Sequence, residues 1–310
     1  MSTQVPRLLT GLVDDAAVFP PGSAALSDAL AAHRRHRASW YADLVGPLLV
    51  PASALPRLAR LLDTDQPAGP DQVGDTPAGQ DRTLDVGVIG DVPLDQLGAV
   101  CAVADPRLRI RQVEAAVAKR GEDPLPGLAE LAALAARSAP AGSTGPGPDL
   151  DVYAEIPLAW GLLGALDRLA EARAAGTRIA AKFRTGGLAA ELFPTAGELA
   201  TVICACRDRE LPFKLTAGLH HATRNVDPET GFTHHGFVNV LAAVRVAAEG
   251  GAVDAVTEVL TTTDPRPLLQ RVEPGRDEPR PLWIGFGSCS VGEPLTDLIR
   301  LGLVDGGFTR

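Results

Sequence analysis

The chain has 310 residues, is 45% hydrophobic and carries a net charge of -9. That is apolar enough for a sizeable core, and the wrong sign for nucleic acid or an anionic membrane surface as partner. No apolar run approaches a membrane span, and Met1-Ser-Thr-Gln-Val-Pro-Arg7 lacks a basic segment leading into an apolar one, so a cytoplasmic protein is expected.

In chain order, short apolar runs predict strands at 12–19, 47–50, 84–89, 108–114, 151–156, 178–184, 212–217 and 282–286. Amphipathic helical patterns alternate with them, clearest at 158–175, 196–209 and 237–249. Two stretches, 63–83 and 138–149, are so rich in Pro, Gly and small polar residues that they read as flexible loops. Alternating strands and helices imply parallel strands with right-handed crossovers. Eight such units, at a length near that of one large α/β barrel, predict a (β/α)8 barrel (TIM barrel) as one domain over 1–310. No G-x-G-x-x-G follows an early strand, which removes the main signal for a dinucleotide-binding sheet. Both flexible stretches precede strands, so they belong to the bottom of a barrel. The segments after strand ends form the top, where barrel active sites lie.

The unusual residues fall in or just after those later strands. Only three lysines occur, Lys119, Lys182 and Lys214, against 26 arginines. Two of them sit in apolar runs, Ile179-Ala-Ala-Lys182-Phe-Arg184-Thr-Gly-Gly187 and Leu211-Pro-Phe-Lys214-Leu-Thr-Ala-Gly218. A lysine kept where arginine is the default suggests a need for a primary amine, which can lose its proton and attack a carbonyl. Strand alternation puts Lys182 and Arg184 on one face, and Lys214 with Thr216 on another such face. Glu155 falls with Tyr153 and Asp151, and Glu114 with Gln112, so two lysines, an arginine and two acids converge on one interior. Neighbouring ammonium groups and desolvation would both depress a lysine pKa toward neutrality, and a carboxylate could relay protons. The plain alternative is a charge-balanced interior in which these groups neutralise one another.

Four of six histidines form the pairs His220-His221 and His234-His235, bordering the segment after the seventh strand. Their spacing matches no standard metal signature, but His220, His221 and His235 are candidate ligands for a divalent transition metal. Cys289, Glu155 or Asp15 would complete such a site. General acid–base work or substrate binding is an equal reading. Arg224 lies in the loop between the pairs, which is long enough to act as a lid. Asp14-Asp15 would lie near the end of the first strand, a weak candidate this close to the terminus. Cys101, Cys204, Cys206 and Cys289 give no disulfide or zinc framework and read as reduced thiols.

The order Val152-Tyr-Ala-Glu155, Lys182-Phe-Arg-Thr-Gly186, Lys214-Leu-Thr-Ala-Gly218, Gly285-Phe-Gly-Ser288 resembles the class I deoxyribose-phosphate aldolase group. There an acid-bearing strand is followed by a Schiff-base lysine, a second lysine before glycines, and a Gly- and Ser-rich phosphate site. The resemblance implies that Lys182 forms the imine and Lys214 lowers its pKa. It also implies that Gly287 and Ser288 bind an anion with help from Arg184; Arg224 is a further anion-binding candidate. Phe183 and Arg184 depart from the family's small polar residues, and the family's acid on an earlier strand has no match in the sequence. Asp14-Asp-Ala-Ala-Val-Phe-Pro-Pro21 together with Gly218-Leu-His-His221 also resembles a set of bacterial proteins with no established activity.

The expected function is thus an enzyme acting on a small anionic carbonyl compound, lyase-like through a lysine imine and needing no cofactor. Lys182 is its nucleophile, Lys214 the electrostatic partner, and Glu155 or a histidine the proton shuttle. A metal-dependent hydrolase or lyase using His220, His221 and His235 is one alternative, and a non-catalytic ligand-binding barrel another. A homo-oligomer is compatible with all three.

Overall fold

The computed structural model describes residues 5–64, 83–138 and 150–306. The stretches read as flexible loops, 63–83 and 138–149, lie outside the described residues apart from their ends.

Eight parallel strands close into a barrel. In chain order they are β1 (Val13–Asp15), β2 (Val45–Pro51), β3 (Leu84–Ile89), β4 (Leu108–Ala116), β5 (Asp151–Glu155), β6 (Ile179–Arg184), β7 (Phe213–Thr216) and β10 (Trp283–Ser288). Between β7 and β10 runs a short antiparallel ribbon, β8 (Asn225–Val226) and β9 (Thr233–His234). β1 closes the circle between β10 and β2. The chain is a (β/α)8 barrel, and each expected strand is found within a few residues of its predicted span, except the first, which is only three residues long.

Helices cover the outside: α1 (Leu26–Arg37), α2 (Leu55–Thr64), α3 (Leu94–Ala102), α4 (Leu125–Ser138), α5 (Leu162–Ala174) and α6 (Ala196–Arg207) follow their strands singly. Three helices instead of one fill the gap before β10, namely α7 (Phe237–Ala248), α8 (Val253–Thr261) and α9 (Pro265–Val272); α10 (Gly292–Arg300) follows it. Ten of the twelve residues of α7 are buried, as a helix apolar on nearly every side requires. Its one buried polar residue, Asn239, donates to Val259 O (2.9 Å) and Thr262 O (2.7 Å) and accepts from Arg224 N–H (2.9 Å). That one side chain ties α7 to the end of α8 and to the loop after β7. None of the described helices is long and apolar enough to cross a membrane.

Strand alternation sorts the side chains. Val113, Ala115, Ala181, Phe183, Phe213, Leu215 and Phe286 are buried in the apolar core, with Phe286 stacked between Phe237 (5.8 Å) and Trp283 (5.7 Å). The inward set is rich in polar groups, including Asp14, Gln112, Glu114, Lys182 and Lys214, with Leu49 and Tyr153 among them. Barrel interiors are ordinarily packed with branched aliphatic side chains; this one is filled largely by charge. Glycines make room for it: a Cβ on Gly46 would overlap the Asp14 carboxylate, and one on Gly87 would meet the Gln112 amide at 2.8 Å.

Candidate active site

The register of the barrel sets Lys182 beside Lys214 and Glu155 beside Lys182. Lys214 contacts the carboxylates of Asp14 and Glu114. The second oxygen of Glu114 lies 2.7 Å from the Lys182 ammonium, which also reaches Glu155 at 2.9 Å. Glu155 in turn accepts from Arg184 Nε at 3.1 Å. The six groups thus form one row of alternating sign: Asp14, Lys214, Glu114, Lys182, Glu155, Arg184. The Gln112 amide donates to Asp14 at 2.6 Å and to Glu114 at 2.9 Å, bracing the inner end. The Tyr153 ring lies under the Lys214 ammonium at 4.9 Å, a cation–π contact.

Lys182 is 3% and Lys214 1% exposed, so neither ammonium is solvated and pairing decides its charge. Burial acts to lower both lysine pKa values, but Glu114 with Glu155 outweighs it for Lys182, and Asp14 with Glu114 for Lys214. Both are therefore raised, and the resting protein holds two ammonium groups. This reverses the expectation that the lysines depress each other, because carboxylates lie between them. Burial likewise works against ionised Glu114, yet the two lysines hold it at about 2. Asp14 moves the other way: burial, reinforced by the charge of Glu114, raises its pKa despite Lys214.

The row opens at one end. Arg184 is exposed, and with Glu155 it lines a cavity of about 250 Å³ at the C-terminal ends of β4, β5 and β6. Its walls come from the segments after those strands, among them Ala118, Arg120, Leu158, Leu192, Phe193 and Pro194. A second cavity of about 320 Å³ lies at the opposite mouth, among Arg37, Asp85, Arg111, Asp151 and Arg178, with Gln112 as its roof. There Arg178 pairs with Asp151 at 2.8 Å.

The three histidines expected as metal ligands each have a different partner, although the His220 ring lies 6.4 Å from that of His234. His220 Nδ1 bonds Glu293 at 3.0 Å, with the Cys289 sulfur 3.8 Å away, while exposed His221 faces Asp297 at 3.4 Å. His235 is buried and donates through Nε2 to Pro194 O at 2.8 Å, leaving Nδ1 to face Arg224 at 3.4 Å. Burial pushes its pKa down to about 4, so it is a neutral strut. Among the described residues, no three His, Cys, Asp or Glu side chains group as a metal centre would need.

The glycines and serines expected to cradle an anion are largely engaged otherwise. Ser288 Oγ donates to Ser290 O at 2.7 Å, and Ser290 Oγ accepts from Glu293 N–H at 3.2 Å at the start of α10. Glu293 thus puts a carboxylate at that helix end, where an anion would have to bind. Gly287 points inward, a Cβ there meeting Leu49 at 3.0 Å. Gly186 and Gly218 serve a close approach of the strand ends, since a Cβ on Gly186 would lie 2.9 Å from Gly218 Cα and Gly218 has φ +78°. Arg224 is part of the His235 and Asn239 contacts, and burial lowers its pKa.

Two acids outside the expected catalytic set matter. Glu114, expected only to share the interior, touches both lysines, and Asp14, discounted for its nearness to the terminus, anchors the row. A further pair was not anticipated: Asp15, on the other face of β1, accepts from the His33 ring of α1 at 3.1 Å, both groups being buried. The adjacency of two acids on a strand was the available signal, since one of them must face the helices.

No protein-family model, no curated protein and no solved structure matches this chain.

Proposed function

We propose that this barrel is an enzyme acting on a small anionic carbonyl compound through an imine on Lys182, in lyase chemistry of the class I aldolase kind. The observation that carries the reading is the buried row of alternating charges that ends at a cavity in the C-terminal mouth. Ionised groups are expensive to bury, and an apolar interior would hold a barrel together at least as well. Two of only three lysines in a chain with 26 arginines are kept there with acids on either side.

Chemistry would begin with exchange of partners. The substrate's anionic group pairs with Arg184 and releases it from Glu155. Glu155 then takes a proton from Lys182, while Lys214 remains an ammonium whose charge favours the neutral form of its neighbour. The amine nitrogen bonds to the carbonyl carbon, and the carbonyl π electrons move to oxygen. That oxygen leaves as water after receiving protons from the nitrogen side and from Glu155, giving the iminium. Glu155, again a carboxylate, takes the proton of a hydroxyl on the carbon β to the iminium. That oxygen's electrons form the carbonyl of the departing aldehyde as the α–β carbon–carbon bond breaks, and the bond's electron pair moves to the iminium to give an enamine. Protonation at carbon and addition of water return the ketone or aldehyde and the free lysine.

A second reading has its own support: all six charges are already paired and both lysine pKa values are raised, which suits a ligand-binding barrel with a neutralised interior. The metal-dependent reading draws no support from the histidines, whose partners are separate. Exchange of the methyl protons of pyruvate in D2O, followed by proton NMR, distinguishes the first two. The wild type exchanges them through the enamine and Lys182→Arg, which keeps the charge, does not. Equal exchange by both proteins excludes the imine.

A further inference from the structure

We infer that the C-terminal cavity selects a carbonyl compound bearing one carboxylate and an apolar body about the size of a single ring, in preference to a polyhydroxylated or phosphorylated one. The carbonyl in this statement rests on the proposed function; the selectivity rests on the cavity itself.

Most of the lining is apolar, from Ala116, Ile156, Leu158, Leu192, Phe193 and Pro194. None of the described lining residues carries a hydroxyl or carboxamide side chain. The hydroxyls of a sugar would leave water there for walls that return few hydrogen bonds, and each unpaired group is a penalty. The charged side chains are Arg120 and Arg184 against Glu155, Glu191 and Glu198. Acids outnumber bases, so the second negative charge of a phosphate dianion meets repulsion. A monoanion needs only Arg184, the cation at the open end of the charge row. Arg120 is already held, its Nη1 donating to Glu191 O at 2.7 Å.

The volume of about 250 Å³ exceeds the ~150 Å³ of an apolar cavity that takes up benzene, space for one ring and a short acid tail. The aromatic wall is braced before any ligand arrives. Phe193 packs on Phe232 and on His234, each at 4.9 Å between ring centres, and His235 holds the next residue, Pro194, by its carbonyl. The second histidine pair and the β8–β9 ribbon thereby become the buttress of a specificity wall. A preformed apolar wall with few polar groups is the usual form of a small-ligand site.

Isothermal calorimetry with phenylpyruvate, pyruvate and glyceraldehyde 3-phosphate tests this, on the wild type and on Lys182→Arg. The expected order is phenylpyruvate on the order of 10- to 50-fold tighter than pyruvate, the gain from burying one ring, with the phosphate the weakest. Ala118→Phe, which fills the cavity, should erase the advantage of the ring. Arg184→Gln should erase the advantage of phenylpyruvate over phenylacetaldehyde. Equal binding of the two keto acids, tightest binding of the phosphate, or no binding of any of the three overturns the inference. If the order holds in both proteins while proton exchange is absent, the imine fails and the selectivity stands.

Discussion

Glu114 joins the two halves of the charge row, because one of its oxygens meets Lys214 and the other Lys182. Replacing it with Gln leaves two buried ammonium groups short of a partner, and Glu114→Gln is expected to lower stability by about 3–5 kcal/mol in urea denaturation. Asp14→Asn should cost clearly less, since burial already raises the Asp14 pKa and penalises its charged form. The pH dependence has a definite sign. Glu114 is held at about 2 in the fold against 4.5 ordinarily, so its contribution is complete above pH 4.5 and disappears as pH falls toward 2. His235 adds a second window. With a folded pKa of about 4 against 6.5, the unfolded chain binds the proton more readily between those values. Stability supplied by the neutral ring is complete above 6.5 and falls as pH drops toward 4, by up to about 3 kcal/mol. Urea midpoints at pH 7 and pH 5 measure it, and His235→Gln should flatten that part of the profile.

Among the elements, β2 shows how the backbone accommodates the row. Gly46 has no room for a side chain because the Asp14 carboxylate occupies that space. Gly46→Ala should cost about 1–3 kcal/mol by overpacking. Gly164→Ala in α5, where an added Cβ meets nothing within 4 Å, should stabilise by roughly 0.5–1 kcal/mol. Urea denaturation of the pair separates the steric demand from the general cost of glycine. The strands themselves were legible because alternation puts Lys182 and Arg184 on one face and Phe183 on the other, a pattern local to six residues. The helices before β10 were legible only in part. α7 is apolar on almost every side and reads plainly, whereas α8 and α9 are short and depend on packing around it. The two-residue strands of the ribbon carry no periodicity to read.

At the scale of the molecule, closure of the barrel decides which residues meet. β1 lies next to β10 in the circle, so Asp14 reaches Lys214 across 200 residues of sequence. Nearness to the chain end was no guide to nearness to the interior. The convergence of Lys182, Lys214, Glu114 and Glu155 was legible, since each lies at an inward position of its strand. Their charge state was not: it depends on which group lies between which, and the carboxylates interleave the lysines. The histidine pairs show the opposite limit, because loop geometry sends His220 to Glu293, His221 to Asp297 and His235 to Pro194. No periodicity encodes those directions.

The central claim is that the Lys182 amine, an ammonium at rest, becomes a nucleophile when an anionic carbonyl compound enters the cavity. Borohydride reduction in the presence of pyruvate, followed by peptide mass mapping, tests it most directly. The account predicts an irreversible adduct on Lys182, none on Lys119 or Lys214, and none on any lysine in Lys182→Arg. An unmodified Lys182 across keto acids and aldehydes, or an adduct on Lys214 instead, would contradict it.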